Sequence, residues 1–225
     1  MSFKPLRLAH GWTLDRGPGV SATLVHDFLR PAVRAAPVSM ARRLGACCIA
    51  VPGETEADEV SRWTTTAGGL EVSVAAAGME EHDVAMQLLL CLGQALWEKL
   101  SEAESRAYWM LLRDEIDSGT EGEIDERALD EKRSLFESRS HANSARRLES
   151  YACASFAGTA AEYVHSLWHD VSIRTGKDYL PADALRRRLE LISRWFPPDR
   201  GRRLFPRAQV RAGAPPAAPG QKHGG

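Results

Sequence analysis

The chain lacks most of the features that would assign it to a common protein class. No run approaches the ~20 apolar residues needed to span a bilayer, and the N-terminal MSFKPLRLAHGW has no apolar signal core. Neither sign of charge is in excess: 29 Lys and Arg stand against 30 Asp and Glu. The net charge of −1 gives no overall attraction to nucleic acid or an anionic membrane. Cysteine is scarce. Cys47, Cys48, Cys91 and Cys153 show no CxxC spacing and sit in apolar contexts, so buried thiols in a reducing compartment are expected rather than a disulfide framework. There is no Walker-type glycine loop, GxGxxG fingerprint, GxSxG elbow or cysteine with an adjacent histidine. No basic patch is interleaved with aromatics. These absences remove several enzyme classes and predict a soluble, cytoplasmic protein with no nucleic-acid or membrane partner.

What is present is a globular composition, 44% hydrophobic and 26% charged over 225 residues, enough for one domain with a real core. The longest apolar run is Asp83–Leu100, DVAMQLLLCLGQALWEKL. At helical spacing Asp83, Gln87, Leu90, Gln94 and Glu98 share one narrow stripe, and leucines cover most of the rest. The run predicts a central core helix. Its polar stripe is either a solvated edge or the lining of a pocket.

The rest of the chain organises around that helix. Residues 1–20, with Pro5, Gly11, Gly17, Pro18 and Gly19, predict an irregular lead-in. Ser21 can cap a helix to about Ala36 that Pro31 should kink or end. A second helix is expected at Val38–Leu44, stopped by Gly45. Ala46–Val51 predicts a buried strand, and the β-prone runs around Gly68-Gly69 predict a hairpin. From about residue 101 everything reads as helical. A Ser101–Glu104 capping box opens a helix to about Asp117, and Asp125 caps the next, to about Ser138. A long helix runs from Asn143 or Ser144 toward Asp170 with Gly158 as its weak point. Pro181 begins the last, which ends near Phe196. Arg186, Arg187 and Arg188 predict a solvated basic surface. The class is therefore α+β: mostly helical, with a small N-terminal sheet (a strand plus a β-hairpin) on the central helix. One domain is expected over 21–206, followed by a disordered tail at 207–225.

Two sets of residues carry candidate chemistry. Within Ser155–Asp170, the residues Glu162, His165 and His169 fall at i, i+3 and i+7 on one polar stripe. That spacing can place a carboxylate and two imidazoles around a divalent transition metal such as Zn²⁺. It can equally be a solvated face. His82 or Cys91 could assist such a site. The dipeptides His26-Asp27, His82-Asp83 and His169-Asp170 are each weak signals, because adjacent helical residues diverge by about 100°.

The second set is a likeness. The order of helix, strand, hairpin, central helix and helical C-terminal half resembles the minimal zincin metallopeptidase arrangement. In that family the central helix carries HExxH, often as HELGHA. Leu90-Cys91-Leu92-Gly93-Gln94-Ala95 resembles that hexapeptide with its functional letters changed. Leu90 and Gln94 stand at the two zinc-histidine positions and Cys91 at the catalytic glutamate. Gly158-Thr159-Ala160-Ala161-Glu162 is similar to the later E-x-x-A-E pattern, with Gly158 at the ligand position and Glu162 at the second glutamate. The resemblance covers roughly residues 20–170. Leucine and glycine cannot bind Zn²⁺, so it implies a pseudopeptidase without catalytic residues, metal or cofactor, which binds a protein or peptide. The alternative is a metal-dependent hydrolase built on Glu162, His165 and His169.

Overall fold

Period-two alternation builds the sheet in the computed structural model, which describes residues 4–52, 61–137, 144–169 and 176–204. Its strands are β1 (Leu6–Arg7), β2 (Thr13–Arg16), β3 (Cys47–Val51), β4 (Ser61–Thr66) and β5 (Gly69–Val74). They lie in the order β1-β2-β3-β5-β4. The three inner strands are parallel, and each edge strand is antiparallel to its neighbour. Leu14, Cys47, Ile49, Val51, Leu70, Val72 and Val74 are buried on one face. Asp15, Cys48 and Glu71 point to the opposite, exposed one. Cys48 thus departs from the expectation that all the thiols are buried: one residue along a strand reverses the face. The class is α+β, with helices α1 (Arg30–Ala35), α2 (Val38–Leu44), α3 (Glu81–Trp97), α4 (Glu102–Asp117), α5 (Glu126–Glu137), α6 (Ser144–Ser166) and α7 (Ala182–Trp195).

The irregular lead-in expected over 1–20 instead supplies two strands of the sheet. Trp12 and Leu14 are buried in the core, and Trp12 Nε1 donates to the Gly45 carbonyl at 2.9 Å. Strands of two and four residues are too short for alternation to register against the surrounding glycines and prolines.

Proline 31 does not break its helix. The segment Leu24–Leu29 is π-helical, with the Arg30 N–H reaching back to Val25 O, and it runs straight into α1 with Pro31 in the first turn. A widened turn relieves the clash between a proline ring and the preceding carbonyls. Ser21 does cap this segment, its Oγ accepting from Leu24 N at 2.9 Å. Gly45 ends α2 at φ +85°, as expected of a residue without Cβ. The Ser101–Glu104 capping box is complete in both directions.

The central helix α3 lies between the sheet and α6. It buries Leu88, Leu89, Leu92 and Leu96, each contributing about 2 kcal/mol of transfer free energy. Packing against both the hairpin and the later helix follows the expectation for this stretch. At the crossing, Gly93 meets Ala157 so closely that a Cβ would lie 2.8 Å from the Ala157 Cα and O. Gly158, the expected weak point, sits inside an unbroken α6. Its missing side chain admits Asp125 Oδ2, which a Cβ there would strike. The helix stops at Ser166 rather than Asp170.

The arginine run also reads differently in three dimensions. Arg186 and Arg187 make exposed i, i+4 pairs with Glu190 and Asp183. Arg188 is fully buried between Glu115 and Glu123, so the run is not uniformly a solvated basic surface. Position 188 falls on the apolar stripe Ala184–Arg188–Ile192, which turns it inward. The acidic loop at 54–59 and the tail at 207–225 lie outside the described residues.

Candidate functional site

The polar stripe of α3 is the seam between the central helix and the edge strand β4. Trp63 Nε1 donates to Gln94 Oε1 at 2.9 Å, and Ser61 Oγ donates to Gln87 Oε1 at 3.3 Å. Strand side chains two apart therefore meet helix side chains seven apart on one face. Of the motif-like positions, Leu90 is half-buried against the core and Cys91 is buried. Gly158 abuts Asp125, and Glu162 turns to a histidine. α3 and α6 pack directly, but Gln94 and Glu162 are engaged with different partners, one under the sheet edge and one at the far end of α6.

That far end holds the densest set of titratable side chains on the α3–α6 seam. His82 is the second residue of α3, and His165 is the penultimate residue of α6. Their Nε2 atoms are 3.1 Å apart. The Nδ1 of His165 lies 3.4 Å from Glu162 Oε2, and that of His82 lies 3.5 Å from Asp83 Oδ1. His169, one turn beyond, stacks on His165 at a centroid distance of 5.3 Å and an interplanar angle of 15°. Its ring is 5.9 Å from that of His82. Phe28 and Trp168 wall the cluster edge-on. His165 is buried, with 8% of its surface exposed, and His169 is exposed. The sequence-predicted residues Glu162, His165 and His169 are thus brought together, and His82 joins them from another helix. Among the described residues no three His, Cys, Asp or Glu side chains already converge as a ready-made metal site.

Two of the cysteines, Cys47 and Cys153, are held as thiols. No disulfide joins any of the four. Burial pushes the Cys47 thiol up to about 12, and burial pushes Cys153 up to about 11, so neither supplies thiolate at neutral pH.

The sequence offers His82 only as a possible helper, among three His-Asp dipeptides. The informative signal was its place: the first turn of the helix that packs against the other two histidines. A family-model scan, a search of curated proteins and a search of solved structures each found nothing that matches this chain.

Proposed function

We propose that the chain is a zincin-like domain that binds an extended peptide or protein segment without hydrolysing it. The observation that carries this reading is the open edge of β4, directly above the helix with the substituted motif. Among the described residues β4 has a strand neighbour on one side only. Its pairing shows which backbone groups face outward. Thr65 lies opposite Leu70, whose N–H is given to Ala46 on the other side. Thr65, and with it Trp63 and Ser61, therefore turn their N–H and C=O groups away from β5. An extended segment could add there as a further strand. The exposed face of the sheet beside it forms a groove of about 540 Å³ that includes Asp15, Cys48, Arg62, Thr64 and Glu71. Hydrolysis is not expected, because Leu90 offers no donor atom and the Gln94 oxygen is committed to Trp63.

Selection of a displayed random-peptide library against the wild-type chain tests this reading. The selected peptides should bind Thr65→Pro at least tenfold more weakly, since proline removes an outward N–H while leaving the β4–β5 ladder intact. Equal binding to a folded Thr65→Pro protein, or Zn²⁺-dependent cleavage of the peptides, would overturn it.

A further inference from the structure

We propose that His82, His165 and His169 form a binding site for one divalent transition-metal ion of the Zn²⁺ or Co²⁺ type, with Glu162 orienting His165. The site shares only Glu162 with the substituted motif and lies apart from the β4 edge.

The argument begins with hydrogens. A neutral imidazole carries one N–H. The carboxylate of Glu162 on the Nδ1 side of His165 favours the hydrogen there and leaves Nε2 as a lone pair. Asp83 stands on the same side of the His82 ring, at a longer 3.5 Å. With both hydrogens on Nδ1, two lone pairs would face one another across 3.1 Å and repel unless a cation lies between them. A metal ion is such a cation; without one, His82 takes the other tautomer and donates its Nε2 hydrogen to His165 Nε2.

Three features favour the metal. Imidazole nitrogens at 2.0–2.1 Å from a tetrahedral Zn²⁺ stand about 3.3 Å apart, close to the observed 3.1 Å. Rings held in that way have centroids about 5 Å apart, as those of His82 and His165 are at 5.0 Å, and the His169 ring lies within 5.9 Å of both. A third histidine adds nothing to a hydrogen bond between the other two, yet it completes the three-imidazole donor set of an open zinc site. The nearly parallel His165 and His169 rings do not yet point to one centre. His169 lies beyond the end of α6, so ligation requires its side chain to turn inward and exchange its present contacts for the ion, with the helix left in place. Phe28 packs edge-on against His82 and Trp168 against His165, which gives that side of the pair an apolar wall. Imidazole ligands select Zn²⁺ and its neighbours over Mg²⁺ or Ca²⁺. Three histidines leave a fourth position on the ion for water or an exogenous donor.

The test uses the full, untagged chain, stripped with a chelator and titrated with Co²⁺ and then Zn²⁺. The expected result is one Co²⁺ per chain, with the intense visible bands of a four-coordinate nitrogen-ligated ion, displaced stoichiometrically by Zn²⁺. His82→Ala and His169→Ala should each weaken binding at least tenfold, and Glu162→Gln about 10–100-fold. His26→Ala, on an exposed residue, should change nothing. His165→Ala should abolish binding. Because that residue is buried, the half-exposed His82 and exposed His169 variants decide the matter if His165→Ala does not fold. Absence of stoichiometric binding, bands of a six-coordinate surface ion, or affinity unchanged in His82→Ala would leave only a histidine–histidine hydrogen bond and overturn the proposal. None of those results touches the peptide-binding reading, which rests on β4.

Discussion

Helix α6 carries two polar clusters built on opposite plans. Toward its middle, Tyr151, Ser155 and Thr159 face a buried ionic network. Near its end, Glu162, His165 and, just beyond, His169 face His82. In the first, every N–H of Arg188 has an acceptor. Nε bonds Glu115, Nη1 bonds Glu123 and Ser155, and Nη2 bonds both carboxylates at 2.6 and 2.9 Å. Lys132 Nζ adds the Gly122 carbonyl and stands 3.5 Å from Glu123, so two cations balance two anions. Burial drives the Glu123 carboxyl upward, but the Arg188 guanidinium and the Tyr151 hydroxyl outweigh it and hold the group below its usual range. The histidine cluster is closed by neither charge nor geometry. One region is satisfied by its own residues and so serves structure. The other is held by a single histidine–histidine contact, where the proposed ion would bind.

The sharpest way to break this comparison is Arg188→Ala. It strands two buried carboxylates and should cost about 3–5 kcal/mol, read from urea unfolding. Arg187→Ala, in the same run, should stay within about 0.5 kcal/mol. A loss at Arg188 no larger than at Arg187 would remove the structural role given to the network. Next in size is Gly158→Ala, which forces the new methyl into Asp125 Oδ2. It should cost about 1–3 kcal/mol in the same measurement.

A smaller effect concerns the start of α4, the helix that delivers Glu115. The hydrogen bond from Arg43 lowers the Glu104 carboxyl to about 2. A folded value below the unfolded one means that the stabilisation is present above the unfolded value, about 4.3. It is lost as pH falls through about 2. Arg43→Ala should flatten that part of the stability–pH curve, by under about 1 kcal/mol for so exposed a pair. Smallest of all, His169→Ala in metal-free protein should change stability by no more than about 0.5 kcal/mol. With Zn²⁺ present the wild type should gain thermal stability that this variant does not, which separates a ligand site from a packing cluster.

Local chemistry made much of the fold legible. The Ser101–Glu104 box, Gly45 and the glycine pair at the hairpin act over three or four residues, and their elements stand where that chemistry puts them. The missed features depend on distant partners. Nothing local in RRR distinguishes Arg188 from its neighbours. The usable clue was a charge at the centre of an apolar stripe, repeated at Glu115 below Tyr108 and Leu112. Strands β1 and β2 exist because β3 gives β2 a neighbour and β2 gives one to β1, not because TLDR favours extension. At the candidate site, the i, i+3, i+7 spacing brought out Glu162, His165 and His169. The fourth member, His82, is offered by the sequence only as a possible helper beside Cys91; it lies 83 residues from His165, and the packing of α3 on α6 decides between the two.

The Gly93–Ala157 contact has a mechanical consequence. Backbone touches backbone there, so nothing can compress and the two rods can only tilt about that point. It is a fulcrum with unequal arms: by helical rise, His82 lies about 16 Å from it and Trp97 about 6 Å. A rigid tilt about it would carry any drawing together of the histidine end past the pivot as a reversed movement nearly three times smaller. That short arm ends in an indole bonded to Glu149 at 2.9 Å, so the molecule carries its own optical pointer.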